Sequence, residues 1–327
     1  EGPKPGKTFL LRADMDALPM EETPNCDFAS KNGAMHSCGH DMHTAMLLGA
    51  MRVLAEQRDN LAGVIYFCFE EGEEDGRGIL AMLNQLSAHG VDVCWGIHVY
   101  AGLESGKICV SAGPRMAGAA GVGIKVIGRG GHGSRPDMSV NPVFCPASIL
   151  TNTATAWVNQ ITAGRTVTLG VTSIQGGEAP NVIPDTADIL GSLRFFNDEE
   201  GEKAVRIFKN VAEHTAAMNN CQVQFDDRFC VLCAPVINDE YYSNLISAAL
   251  PEVLLENVTV SSCEPWYASE SFSCYRRICP SVLAHLGINN PSYGSGAAHH
   301  NGFFDVDEGV LSTGVIATLK FVAMLQK

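Results

Sequence analysis

From Phe9 to Val99 short β-branched or aromatic runs alternate with segments whose apolar residues recur every 3.6 positions, as strands and helices laid down in turn would. Strands are predicted at Phe9–Arg12, Val64–Phe69 and Val93–Val99, with helices at Thr44–Glu56 and Ile79–Ala88 between them. Such a chain buries a sheet under helices, an α/β arrangement. The pattern resumes near the end with helices at Tyr241–Leu255 and Val310–Leu325, the second preceded by Asp307 and Glu308, whose charges suit a helix N-terminus.

The middle reads differently. A glycine-rich stretch, Gly113–Gly121, is expected to act as a hinge. After it come a strand (Val122–Ile127), a helix with Asn141 as N-cap and Pro142 at its first position running to about Gln160, and a strand (Thr166–Ile174). A strand (Ala187–Phe196), a helix (Glu199–Met218) and a strand (Gln222–Phe225) complete the order βαββαβ of a ferredoxin-like unit. The expected organisation is an α/β mixed-sheet domain of residues 1–115 and 228–327 carrying an inserted domain of residues 116–227. A length of 327 residues suits two domains.

Lys and Arg total 22 against 36 for Asp and Glu, a formal charge of −14, so a polyanion is repelled and nucleic acid is excluded as a partner. No apolar run reaches the roughly 18 residues of a membrane span, because Arg52 and Lys320 interrupt the best candidates. Twelve cysteines at irregular spacing, most of them inside apolar segments, read as reduced thiols in a cytoplasmic protein. The opening EGPKPGKTF shows no secretory signal.

Chemistry-bearing residues gather where strands are predicted to end, which is where α/β sheets present function. Asp14 and Asp16 follow the first strand, Glu70 and Glu71 follow the second within FEEGEED, and His98 closes the third. MHSCGHDMH, with His36, Cys38, His40, Asp41 and His43, precedes a helix, and His299 and His300 lie in a loop before the last one. Thiol, imidazole and carboxylate donors in this combination suit a divalent cation such as zinc. Cys38 and His40 flank a single glycine, which lets both side chains turn to one side of a tight loop. Asp41 reads as the cap of the helix that follows.

LLRADMDALPMEE, MHSCGHDMHTAMLLGA, a strand ending in EEG, GIHV, GRGGHGSRPD, NVIPDTADILGSLR and HHNGFFDVDE, in that order, resemble the M20 metallopeptidases. The resemblance is to the amidohydrolase branch, with its hippurate hydrolases, N-acyl-amino-acid hydrolases and auxin-conjugate hydrolases, and runs from about Thr8 to the end. It implies a metallopeptidase catalytic domain with an inserted lid and dimerisation domain. It also implies two divalent cations, zinc or manganese, held by Cys38, His40, Glu71, His98 and His300, with Glu70 as general base and Asp16 in support. A first-shell bond from Asp14 is a further possibility. His132 corresponds to the residue that stabilises the tetrahedral oxyanion, commonly from the partner subunit, and Asn181 and Arg194 to lid residues that hold the substrate's polar end. The implied activity is hydrolysis of N-acyl amino acids by a homodimer.

Two departures stand out. Where the family writes QPAEE this chain has CFEE, placing Cys68 and Phe69 before the acidic pair, and the helix motif EDF becomes Glu270, Ser271, Phe272, with a carboxylate lost at Ser271. Competing readings are a dipeptidase or carboxypeptidase of the same family, a cysteine hydrolase using Cys38 with His40 or His43, and a non-catalytic homologue that keeps one metal.

Overall fold

The computed structural model describes residues 1–23 and 27–326; Cys26 lies outside them. Two compact units are present: Glu1–Arg115 with Ile237–Pro265 and Ser271–Lys327, and Met116–Val236 with Trp266–Glu270. The inserted unit thus extends beyond Asp227. Its extra length has a hydrogen-bonding cause, since a short strand, Val231–Cys233, pairs antiparallel with the strand Gly118–Ile127. Trp266 also accepts a backbone hydrogen bond from Ala117 at 2.9 Å.

The larger unit is built on a six-stranded mixed sheet. Its spatial order is Thr259–Val260, Ile108–Cys109, Ser281–Asn289, Val93–Glu104, Lys4–Asp14, Ala62–Glu70. Lys4–Asp14 runs parallel to both neighbours, Ser281–Asn289 runs parallel to Val93–Glu104, and Ile108–Cys109 is antiparallel to Ser281–Asn289. The central strand Ser281–Asn289 has no counterpart among the predicted strands. It is buried on both faces, so it lacks the alternation that marks a half-exposed strand. The register sets Asp14 beside Glu70, so two strands deliver carboxylates to the same edge of the sheet.

Helices His40–Glu56 and Leu311–Met324 share with this sheet one core that includes Met46, Leu47, Trp95, Ile97 and Phe321. Trp95 stacks on Phe321 with centroids 4.7 Å apart, and its indole N–H donates to Thr318 Oγ1 at 3.0 Å. The first helix starts at His40, four residues before the predicted start. Asp41 is therefore inside its first turn rather than capping it, and Gly39 stands at the cap with φ of 86°. A side chain at Gly39 is excluded twice, by that left-handed backbone and by Val99, whose Cγ2 would lie 2.4 Å from an added Cβ.

In the inserted unit four strands lie in the order Gln222–Phe225, Gly118–Ile127, Thr186–Phe195, Val167–Gln175, each antiparallel to its neighbours. Helices Phe144–Gln160 and Asp198–Met218 belong to the same core, which includes Ile124, Val126, Ile149, Ile189, Leu193 and Phe208. Asn197 caps the second helix by accepting from Glu200 N–H at 3.0 Å. The first begins at Phe144 rather than at Pro142, with Asn141 Oδ1 accepting from Val143 N–H at 3.0 Å ahead of it. The stretch predicted as a hinge is extended strand instead, in Gly113–Met116 and Gly118–Ile127. Its glycines allow close approach: an added Cβ on Gly118 would lie 2.4 Å from the Phe195 ring, and one on Gly121 would lie 2.0 Å from Arg228 O. Among the described residues no helix is long and apolar enough to cross a membrane.

The Trp95–Phe321 stack sets one expectation. Phe321→Ala should lower unfolding free energy by about 3–5 kcal/mol, the usual cost of emptying an aromatic site in a core. A urea denaturation midpoint shifted down at unchanged slope would show it, and a loss under about 1 kcal/mol would refute the described packing.

Candidate metal centre

The first strand ends in Arg12, Ala13 and Asp14, and both charged residues are buried. Arg12 Nη1 donates to Asp14 Oδ2 and Arg12 Nε to Glu70 Oε2, each at 2.8 Å, which is what keeps a guanidinium tolerable in a core. Asp14 Oδ1 accepts from His43 Nδ1 at 2.5 Å, and His43 Nε2 accepts the backbone N–H of Val99 at 2.9 Å. Both His43 nitrogens are thereby committed, which makes this ring an orienting group. Burial alone would raise the Asp14 pKa, but Arg12, His43 and His40 offset it and hold the carboxyl well below its ordinary range.

His40 is directed by Asp16, whose Oδ1 lies 3.1 Å from Nδ1. The other Asp16 oxygen accepts the backbone N–H of Glu74 at 3.0 Å, so one half-buried carboxylate positions two donors. Burial works against the ionised form of Asp16, yet the bonds from His40 and Glu74 hold its pKa below the usual value. His98 Nδ1 lies 2.7 Å from Val99 O, where it can only donate, and this fixes Nε2 as the face turned to Cys38 Sγ at 3.8 Å.

His300 has φ of 59°, uncommon for a residue with a Cβ, and is held there by its N–H donating to Ser37 O at 2.9 Å. Its Nε2 is 3.4 Å from Glu74 Oε1. The adjacent His299 serves differently, since its Nε2 accepts from Ala101 N–H at 3.1 Å. Burial and the neighbouring imidazoles, His98 foremost, push its pKa down to about 2 and keep the ring neutral.

Among the described residues three groups of donor atoms result, each with all atoms within 4.8 Å of one another: Cys38, Glu74 and His300; His40, Glu73 and Glu74; and Asp14, His40, His43 and His98. Glu74 joins the first two groups and His40 the last two. A continuous set of thiol, imidazole and carboxylate donors of this kind fits borderline divalent cations.

The acidic residues are where sequence and structure part. Glu70 is the last residue of its strand, fully buried, and accepts from Arg12, from Ser271 Oγ at 2.5 Å and from Tyr275 OH at 2.9 Å. Its carboxylate is met by Arg12, Ser271 and Tyr275, which is the setting of an internal counter-ion. Glu71 is exposed and belongs to none of the three groups. Gly72, with φ of 65°, turns the chain, and the carboxylates that reach the donors are Glu73 and Glu74. Glu73 Oε1 also accepts from Ser271 N–H at 2.8 Å. The signal was present in FEEGEED, which contains two acidic pairs; the pair beyond the glycine is the one free of the strand's alternation. With that shift the departure before the pair is Glu70, Glu71 and Gly72 rather than Cys68 and Phe69. The acid absent at Ser271 is offset by Glu70, which receives the Ser271 hydroxyl.

His132, Asn181 and Arg194 lie in the inserted unit. His132 is exposed on a two-residue strand paired with Val182–Ile183, and its Nδ1 accepts from Ser134 N–H at 3.2 Å, which places the ring proton on Nε2. Asn181 is adjacent, its carbonyl accepting from Gly133 N–H at 2.8 Å. Arg194 is not: it is half-buried at the far end of the strand Thr186–Phe195, on the order of 30–40 Å of extended chain from Asn181.

Removing Glu70 tests its assignment as counter-ion. Glu70→Ala should destabilise the fold by about 3–5 kcal/mol in equilibrium unfolding, because it leaves the buried Arg12 with one carboxylate and strands the Ser271 and Tyr275 hydroxyls. A loss under about 1 kcal/mol would contradict the assignment.

Comparison with known proteins gives the same direction. Residues 10–323 match Peptidase family M20/M25/M40. Thermostable carboxypeptidase 2 of Saccharolobus solfataricus is 35% identical over 97% of this chain and 80% of its own length. An N-acyl-L-amino acid amidohydrolase of Geobacillus stearothermophilus is 38% identical over 72% of this chain and 64% of its own. The crystal structure of a dinuclear metal-binding M20 peptidase from Bacillus subtilis superposes with a TM-score of 0.83 at 28% identity, covering all of this chain and 83% of that one. A match across almost the whole chain, on a mixed-sheet unit whose strand ends gather thiol, imidazole and carboxylate donors, makes this protein a member of peptidase family M20/M25/M40, hydrolases acting on amide bonds.

Proposed function

We propose that the chain is a metal-dependent amidohydrolase that cleaves the amide bond of N-acyl amino acids. The observation that carries this reading is the sharing of Glu74 and His40 among three donor groups, the arrangement two neighbouring cations require. Cys38, His40, Glu74, His98 and His300 are the proposed ligands, with Glu74 taking the place expected of Glu71. Zinc or manganese fits these donors, and such ions when bound supply Lewis acidity to the amide carbonyl and lower the pKa of water.

Glu73 is the proposed general base in place of Glu70. Its backbone position beside Glu74 brings it to the centre, and the bond from Ser271 N–H orients the carboxylate. It takes the proton from water and returns it to the leaving amine, and a carboxylate anchored on one side suits both transfers. Asp16 orients His40, and the Asp14–His43 pair orients the loop at Val99.

In the inserted unit, proposed as a ferredoxin-like lid and dimerisation domain, the tautomer of His132 makes Nε2–H a donor for an oxyanion. Asn181 is its proposed partner in binding the polar end of the substrate. Arg194 is proposed as a carboxylate clamp, and a homodimer is proposed. The N-acyl substrate class follows the Geobacillus relative, and carboxypeptidase action, as in the Saccharolobus relative, is the second reading. No disulfide joins the eleven described cysteines, and a cytoplasmic location is proposed.

Glu73→Gln should retain metal and fold while lowering turnover by about two to four orders of magnitude. Glu74→Ala should lose bound metal, and Glu71→Gln should change neither. Metal analysis with release of free amino acid from N-acetyl and N-benzoyl conjugates measures all three, and normal turnover in Glu73→Gln would remove it as the base.

His132→Ala should leave metal content unchanged and slow turnover by about two to three orders of magnitude, the worth of one oxyanion donor. If the donor acts across a dimer, mixing Glu73→Gln with His132→Ala chains restores part of the activity. Absence of rescue despite demonstrated subunit exchange would confine His132 to its own chain.

A further inference from the structure

In the larger unit, a second cluster of reactive groups lies outside the metal centre. Cys109 is buried on the short strand Ile108–Cys109, with His285 as its register partner on one side and Val260 on the other. Three residues past Val260 the chain brings Cys263, part exposed, back to His285, the residue that Cys109 faces in the register. Arg115 Nη1 donates to Cys263 O at 3.0 Å and lies 3.7 Å from Cys263 Sγ. Ser111 Oγ is 3.2 Å from Cys109 Sγ, and His285 Nδ1 is 3.6 Å from Cys263 Sγ. This set is not among the described groups of donor atoms close enough to hold an ion. What it offers instead is two thiols around one imidazole, one of them part exposed, beside a fixed cation.

We propose that Cys109 and Cys263 form a redox-active dithiol, which hydrogen peroxide or an organic hydroperoxide oxidises to an intramolecular disulfide. The pair sheds its first proton readily. The Cys263 thiol donates to Cys109, which with Ser111 and Arg115 outweighs burial and brings Cys109 down to about 6, while Cys263 is raised in turn by the same contact. Cys263, the part-exposed thiol, meets the peroxide, with Arg115 Nη1 3.7 Å from its sulfur to favour the ionised form as it attacks.

Its sulfur attacks one peroxide oxygen, the O–O bond breaks, and the departing hydroxide takes a proton to become water, or the alkoxide to become an alcohol. Cys263 is then a sulfenic acid. The Cys109 thiolate attacks that sulfur, the S–S bond forms, and the S–O bond breaks with release of water. Two thiols together lose two electrons and two hydrogens, and the peroxide gains them.

The test uses the metal-loaded protein at pH 7. After limited hydrogen peroxide, remaining thiols are blocked with N-ethylmaleimide and the digest is read by mass spectrometry. The expected product is a Cys109–Cys263 cross-linked peptide, reversible by dithiothreitol and formed at least about tenfold faster than oxidation of the exposed Cys230, since thiolate fraction governs the rate. In Cys109→Ser, dimedone should capture Cys263 as its sulfenic acid; in Cys263→Ser, the buried Cys109 should remain unmodified. Recovery of both cysteines as separate maleimide adducts, at peroxide doses that oxidise Cys230, would overturn the proposal even if neither variant folds.

Discussion

A guanidinium buried between two strands governs the arrangement of the larger unit. Arg12 is tolerable in the core because Asp14 and Glu70 meet it from adjacent parallel strands, and removing either leaves the guanidinium one carboxylate where it has two. The consequences spread along bonds. Asp14, held ionised by Arg12, orients His43; His43 takes the N–H of Val99; and the carbonyl of that residue fixes the ring of His98. A structural ion pair thus aims a donor of the candidate metal centre that it never touches.

The loop after Glu70 shows how one glycine redistributes roles. Inside a strand, successive residues face opposite ways, so an acidic pair cannot both serve one centre. Gly72 ends the strand geometry, and the next pair, Glu73 and Glu74, points together while Asp16 and Ser271 secure it through backbone bonds. Ser271 is involved twice, donating its N–H to Glu73 and its hydroxyl to Glu70, which couples the counter-ion to the neighbourhood of the proposed base.

Thiols are used in two chemically distinct ways. Cys38 sits among Glu74, His98 and His300, where a sulfur suits the proposed role of ligand. Cys109 and Cys263 gather at His285, with Arg115 beside Cys263, where a sulfur suits the proposed role of nucleophile. Burial of Cys68 and Cys279 in apolar surroundings raises both to about 12 and keeps them inert.

Local sequence carried much of this. Periodicity located the helices near Thr44–Glu56 and Val310–Leu325 and the strands near Phe9, Val64 and Val93, and ordered motifs named the family and brought Cys38, His40, His98, His300 and Asp16 to notice, because each lies in a segment whose conformation short-range chemistry sets. Tertiary structure alone decided three matters. Ser281–Asn289 is a strand because neighbours cover both its faces, which erases the alternation that would announce it. Glu70 is a counter-ion because Arg12, Ser271 and Tyr275 converge on it from distant parts of the chain. Cys109 and His285 meet because a register between strands, not a spacing between residues, brings them together, and the thiol of Cys263 reaches the same imidazole. Each depends on partners far away in sequence, and a single chain of letters records which groups exist but not which of them burial and pairing will force into contact.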